Sequence, residues 1–396
     1  MIKRILRLLA VIRFSNPKKN DVVILYDDYW LKRLILRDIE STTIQCYPDN
    51  IYLTPILVIR TLFHIERNDW IQVVANGSVK SFLSKVYLLY IISCIDQAQA
   101  KIVLTFNDNS GLLWSLSRKD SKRTYYAVQN GTRTTACVRD SLPLPPHRNA
   151  VISMPHFFCF GQRDIDLFTH YKHRIDNYYP VGSIIGGYYK SSVLSDQKIC
   201  FDVCLISQWH EHFFREIEGN DFCTKEWKRV RTALDKLNFC VLKFVKETGL
   251  SLIICPRNDN NADEISFYRN LFGDKACVAE SNRQDFSTYR IIDRSRLAIA
   301  FNSTMLAEVF VWGKKVLWCN MTDDEHFEMP EAGVSYFHGD DYEAFKERLF
   351  FLLAMPQDEY ESATRLNARF INNFNPDNPP HEVIRSRIIN VLSEQH

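Results

Sequence analysis

The sequence predicts an α/β protein of two consecutive Rossmann-like domains that face each other across a cleft. Three observations predict it. The chain has 396 residues, two to three times the length of an ordinary domain. From Asp21 onward, short apolar β-rich runs alternate with helical patterns, as in parallel sheets built from βα units. The alternation runs twice, once on each side of the polar stretch 190–198, and closes with helices. Composition agrees, because 46% hydrophobic and 24% charged residues with only 13 Gly and 14 Pro suit large cores and exclude a disordered or collagenous chain. Lys+Arg 49 against Asp+Glu 47 leaves a net charge of +2, so no global field marks a nucleic-acid binder.

Residues 1–20 carry Lys3, Arg4, Arg7, Arg13, Lys18 and Lys19, threaded through apolar residues, with no acid before Asp21. A secretory signal separates its charges from its apolar core. The mixture instead predicts a basic amphipathic helix attracted to an anionic membrane surface, the alternative being a first helix packed on its domain. The longest apolar run, 86–95, is too short to span a bilayer. The first α/β domain, 21–189, has strands expected at 22–26, 70–75, 102–106, 125–128 and 156–160. A helix is expected at 78–95, and a proline-rich irregular stretch at 140–149. The second domain, 199–355, has strands expected at 202–206, 252–255, 297–301 and 315–319. Its helix at 225–248 shows Trp227, Val230, Leu234, Leu237, Val241 and Phe244 three or four residues apart, and Gly249 stops it. Residues 356–396 read as helices, broken at 373–380, that pack back toward the first domain.

The most informative segment is 297–320. A buried strand runs into Asn302-Ser303-Thr304, a helix follows, Gly313 ends it and a new strand begins at Lys315. Hydroxyls and free backbone N–H groups at such a junction suit an anionic phosphate, and Glu308, one turn further on, suits ribose hydroxyls. A plain N-cap is the alternative role for Ser303. In the first domain Asp108, and likewise Asp27 and Asp28, follow strands. Each is placed to act as a general base toward an acceptor hydroxyl, or else to cap the next helix. Asp108 ranks first, because Asn107-Asp108-Asn109-Ser110 is more polar than a cap requires.

Eleven cysteines without a C-x-x-C pair imply reduced thiols in a cytosolic setting. The histidines form no metal pattern, and Asp164-Ile165-Asp166 opens a helix where acids suit the dipole, so no metal is assigned. P-loop and dinucleotide fingerprints do not occur in the sequence.

Residues 295–320 resemble the nucleotide-binding half of GT-B glycosyltransferases of bacterial surface-carbohydrate synthesis, where a strand, a Ser-Thr pair, a helix with a Glu and a G-K-K-V-L strand recur. Residues 125–133, YYAVQNGTR, resemble the Q-N/H-G-x-R turn of surface-polysaccharide transferases, and ISQW and ICPRNDN follow that group's pattern loosely. The resemblance implies a metal-independent transferase moving a sugar from a nucleotide-sugar donor, with a CMP-activated sugar among the candidates. The acceptor would be a surface polysaccharide or lipid-linked glycan at the inner face of the cell membrane, with no separate cofactor. It implies that Ser303, Thr304 and Asn302 hold the donor phosphates, Glu308 the ribose and Arg257 the leaving charge. Ser207 and Gln208 would line the same cleft, and Gln129, Asn130, Gly131 and Arg133 the acceptor side. Two other readings share this layout: a polyol-phosphate transferase of the teichoic-acid type, which usually carries His before Gly where this chain has Asn130, and a non-catalytic scaffold of a polysaccharide assembly complex.

Overall fold

Eight short apolar runs form the interiors of two six-stranded parallel sheets. In the computed structural model residues 12–13, 15–26, 28–44, 51–63, 79–140, 151–193, 198–211 and 222–394 are described. The first sheet has the order β3-β2-β5-β6-β7-β8. Its strands are β2 (Val22–Leu25), β3 (Ser41–Ile44), β5 (Ile102–Thr105), β6 (Thr124–Val128), β7 (Ser153–Cys159) and β8 (Arg174–Pro180). The second has the order β11-β10-β9-β12-β13-β14. It comprises β9 (Phe201–Ile206), β10 (Leu252–Cys255), β11 (Cys277–Val278), β12 (Ser295–Ala300), β13 (Val316–Asn320) and β14 (Tyr336–His338). Neighbouring strands pair in parallel throughout both sheets.

Parallel sheets need cover on both faces, so their inner strands are mostly apolar, with polar residues such as Ser153, Asp202 and Arg296 toward the strand starts. Val23, Leu25, Val103, Tyr125 and Ala127 face one side of the first sheet and pack on α2 (Val79–Ala98) and α3 (Gly111–Lys119). Val22, Ile24, Ile102, Leu104 and Val128 face the other side, which Ile384 and Ile388 of α12 (Pro380–Glu394) cover. The last helix therefore packs back on the first domain. The helix before it, α11 (Gln357–Ile371), belongs to the core of the second sheet through Tyr360, Ala368 and Ile371 and also touches α4 (Gln162–His170). Each of these fully buried aliphatic side chains contributes roughly 1.5 to 3 kcal/mol.

The structure corrects the N-terminal expectation where it describes it. Ile12–Arg13 is a strand, β1, paired in parallel with β4 (Ile51–Tyr52). That ladder takes the backbone groups a helix would need. Residues 1–11 lie outside the described residues, as do the strand expected at 70–75 and 141–149 of the irregular stretch. Besides β1 and β4, four strands of the two large sheets escape the sequence pattern, namely β3, β8, β11 and β14, and each is the edge of its sheet. An edge strand is covered less and need not be apolar, as RIDNYYP of β8 illustrates. Among the described residues no helix is long and apolar enough to cross a membrane, and nine cysteines are free thiols.

The two domains are tied where the chain returns. The Asn373 N–H donates to the Phe160 carbonyl at 2.7 Å, and the Asn372 side chain accepts from the Ser183 N–H at 3.1 Å while donating to the Ala307 carbonyl at 3.1 Å. Gly161 lets α11 come this close, since a methyl there would lie 2.8 Å from the Ile371 carbonyl. We expect Gly161→Ala to cost about 2 to 4 kcal/mol in chemical denaturation by displacing α11. Parental stability would mean that this approach is not tight.

Candidate functional site

Strand order places a crevice in each sheet. In the second sheet the chain leaves β9 toward β10 on one side and later returns to β12 on the other. The ends of β9 and β12 are therefore the switch point, where ligands of such sheets bind. Ser207 and Gln208 follow β9, and Asn302 and Ser303 follow β12. All four line a cleft of about 450 Å³ between the domains, together with Arg257, Thr304 and Glu308. The first domain contributes Trp30, Asn130 and Thr132 to the same cleft. The sequence-derived donor-side residues are thus brought together.

Their surroundings differ. Ser303 stands at the N-cap of α9 (Thr304–Phe310), yet its hydroxyl makes no capping bond and has no partner among the described residues. The Thr304 hydroxyl accepts the Thr132 N–H across the cleft at 3.2 Å. Ser207 is consumed by structure: it donates to Glu264, accepts from Tyr268 at 2.9 Å and receives the Trp209 N–H at 3.1 Å. Glu264, fully buried, also accepts the N–H groups of Arg257 at 2.6 Å and Asn258 at 3.0 Å. That carboxylate shapes the loop that carries Arg257.

Arg257 and Arg283 stand together in the cleft wall, where Arg283 donates to the Arg257 carbonyl at 2.9 Å. Neither guanidinium makes a salt bridge among the described residues. The surrounding protein and the Arg283 charge push the pKa of Arg257 down, although an arginine stays charged. Two adjacent cations, with only the Glu264 carboxylate acting on Arg257 from within the loop, can be matched by an entering anion.

Glu308 is the one carboxylate lining this cleft among the described residues. Its oxygens accept from Ser183, the N-cap of α5 (Ile184–Ser192), and from Tyr289 of α8 (Ser287–Asp293) at 2.7 Å. Each oxygen keeps acceptor capacity for a ligand hydroxyl. Burial holds this carboxyl above the usual range, against the opposing bonds from Ser183 and Tyr289.

The acceptor-side candidates lie mostly behind the cleft surface. Asp108 is fully buried, and its carboxylate accepts two bonds from Arg133, at 2.6 and 3.1 Å, and the Asn130 N–H at 3.2 Å. It neither lines the cleft nor caps α3, where Ser110 does so. Asp28 accepts the Leu31 N–H at 2.7 Å and so caps the turn at Leu31–Leu36. Asp27 lies outside the described residues. Gln129 is an internal strut that accepts the Phe160 N–H at 2.7 Å and donates to the Gly131 carbonyl at 2.9 Å and to Asp164 at 3.1 Å. Within the Gln129–Arg133 turn only Asn130 and Thr132 line the cleft, and a Cβ on Gly131 would lie 2.9 Å from the Thr304 hydroxyl. Of the Asp-Ile-Asp pair, Asp164 is buried against the Gly161 N–H, where desolvation pushes its carboxyl up to about 6, and Asp166 accepts from Gln162 at 2.8 Å. The described residues hold no group of three His, Cys, Asp or Glu placed for a metal.

Arg283, Tyr289, Ser183, Trp30 and Glu264 were not singled out by the sequence pattern. Ser183 had a signal, the Gly-Ser pair opening a helix, with Gly182 at a φ of 94°. Trp30 packs on Phe286 across the cleft at 5.2 Å between ring centroids.

Two parallel-sheet domains with a switch-point cleft between them define a GT-B-type fold. Solved structures share it. UDP-GlcNAc 2-epimerase from Neisseria meningitidis, bound to UDP-GlcNAc, superposes with a TM-score of 0.53 at 14% identity, covering 94% of this chain and 99% of that one. The Methanocaldococcus jannaschii UDP-GlcNAc 2-epimerase, with UDP-GlcNAc and UDP, gives 0.51 at 13% identity over 94% and 99%. The wall teichoic acid polymerase TagF gives 0.51 at 12% identity over 96% and 90%. A family model described as "putative O-antigen biosynthesis protein" matches residues 126–384, and the chain belongs to that family. No curated protein matches it in sequence.

Two measurements test the site's architecture. Asp108→Asn removes the charge that balances a buried arginine, so it should cost about 3 kcal/mol in chemical denaturation. Parental stability with turnover alone lost would return Asp108 to the role of base. For Glu308, burial raises the native pKa, so its contribution is intact below the unfolded value and fades as pH rises through the native one. Glu308→Gln is neutral at every pH. It should gain in melting temperature on the parent as pH rises from about 4, the ordinary carboxyl value, and a difference that stays constant with pH would contradict the raised carboxyl.

Proposed function

We propose that the protein is a glycosyltransferase of surface-polysaccharide synthesis that binds a nucleotide-sugar donor on the second domain. The acceptor is a growing or lipid-linked glycan presented from the first domain at the inner face of the cell membrane. The observation that carries this reading is the pair Arg257 and Arg283, uncompensated by salt bridges, beside the free hydroxyl of Ser303 at the switch point of the second sheet. Membership in the O-antigen biosynthesis family supports the pathway, and the fold shared with proteins solved with UDP-GlcNAc supports the donor class.

In this reading the guanidinium groups of Arg257 and Arg283 take up the charge that grows on the departing nucleotide as the glycosidic bond breaks. Ser303 donates its hydroxyl to a phosphate oxygen, with Asn302 and Thr304 beside it. Glu308 uses its remaining acceptor capacity for ribose hydroxyls, and Gln208 borders the nucleotide. Asn130 and Thr132 meet the acceptor, while Gln129, Gly131, Arg133 and Asp108 position them. The reaction needs no metal and no separate cofactor here, because the two cations supply the charge. Asp27 keeps the assignment of acceptor base among the three aspartates, Asp108 being enclosed and Asp28 engaged as a cap.

Isothermal titration with UDP, GDP, CDP and CMP, followed by nucleotide release from the matching sugars in the presence of lipid-linked glycan, tests the proposal. Arg257→Ala and Arg283→Ala should each weaken binding of the preferred nucleotide by about 1.5 to 3 kcal/mol, and Ser303→Ala with Thr304→Ala by about 1 to 3 kcal/mol. Equal affinity in parent and variants would remove the phosphate site. Tight binding without release would favour a scaffold, and release from a CDP-polyol alone the polyol-phosphate reading.

A further inference from the structure

A second surface stands apart from the cleft. Helix α1 (Pro55–Phe63), PILVIRTLF, is apolar on nearly every side, yet it turns only Leu57 and Thr61 inward. Thr61 meets Ser93 of α2 at 3.3 Å, and Leu57 joins the core beneath. The rest points outward: Ile56 is 49% exposed, Ile59 51%, Leu62 54% and Phe63 85%. The surface continues onto α2. There the Tyr90 hydroxyl holds the Tyr52 carbonyl just before α1 at 2.9 Å, Tyr87 stacks on Tyr90, and Leu83 is 59% exposed. An ordinary surface helix buries its apolar stripe, and an apolar patch of this extent marks a contact with something else.

Charge identifies the occupant. The described segments 51–63 and 79–95 carry Arg60, Lys80 and Lys85 and no Asp or Glu. Arg60 is exposed in the middle of α1 and makes no salt bridge among the described residues. The pairing of β1 with β4 brings Ile12–Arg13 beside the start of α1. An apolar face whose two described helices carry cations and no acid as far as Ile95 complements anionic lipid, whose acyl region takes the side chains and whose headgroups take the charges.

We propose that α1 and the adjoining turns of α2 form a docking face for an anionic lipid surface. The inference rests on the proposed working place at the membrane but not on transfer chemistry, since its test needs neither donor nor acceptor. At the membrane this face would set the first domain against the bilayer, on the side from which a lipid-linked acceptor comes.

The test is sedimentation of the full chain with vesicles of equal parts phosphatidylglycerol and phosphatidylcholine. At low salt the parent should sediment and raised salt should release it. The variant Ile59→Ser, Leu62→Ser, Phe63→Ser should lose binding at least about tenfold with its melting temperature unchanged, because all three side chains are exposed. Arg60→Glu should weaken binding more at low salt than at high salt. Equal sedimentation of parent and triple variant, no sedimentation of the parent, or equal binding of the parent to pure phosphatidylcholine would each overturn the proposal. A concentration-dependent dimer abolished by the triple substitution, without vesicle binding, would assign the face to a second copy of the chain and overturn it too. Nucleotide titration of the triple variant should match the parent, so loss of docking and failure of the donor reading are read separately.

Discussion

What the first domain presents to the cleft depends on the buried pair between Asp108 and Arg133. Taking a carboxylate and a guanidinium out of water is costly, and only mutual pairing with further hydrogen bonds offsets it. Here Asp108 also accepts the Asn130 N–H, and Arg133 also donates to the Asn130 side chain at 2.8 Å. The pair thereby fixes the conformation of the turn after β6. That turn carries the Thr132 N–H to Thr304 of the other domain. A carboxylate at a strand end thus works inward, on the backbone that lines the cleft.

The second domain follows the same logic with opposite charge. Glu264 is buried and saturated by Ser207 and by two backbone N–H groups of the next loop, which leaves the Arg257 side chain directed at the cleft. Arg283 arrives from the segment after β11. Glu264 goes into building a loop and Glu308 is held by Ser183 and Tyr289, while Arg257 and Arg283 face the opening, so positive charge gathers at the cleft although the chain as a whole is nearly neutral.

How much of this was legible follows from what each residue has to satisfy. The eight inner strands were readable because both faces of a parallel sheet are covered and the strand must be mostly apolar. The four edges were not, since STTI and RIDNYYP meet no such demand. Ser207, Gln208, Arg257, Asn302, Ser303, Thr304 and Glu308 were traceable because the carboxyl ends of consecutive parallel strands converge wherever the order reverses. Direction was not traceable: the sequence does not distinguish an aspartate that turns toward solvent from one that turns inward to an arginine 25 positions later. Arg283 escaped because it follows a two-residue edge strand. The N-terminal reading failed at Ile12–Arg13 because pairing with a distant strand outweighed local helical pattern.

The contact between Gly131 and Thr304 bears on how such a protein diversifies. Two domains in one chain look like interchangeable parts, and a recombination event between them would exchange one whole half for a relative's. Yet the floor of the cleft is set by a missing methyl group on one half and a hydroxyl on the other. A foreign half with alanine at 131 would have to turn the Thr304 hydroxyl away and so give up its bond to the Thr132 N–H. Inheritance of the two halves is therefore coupled here as it is where Ser183 meets Glu308 and Trp30 meets Phe286.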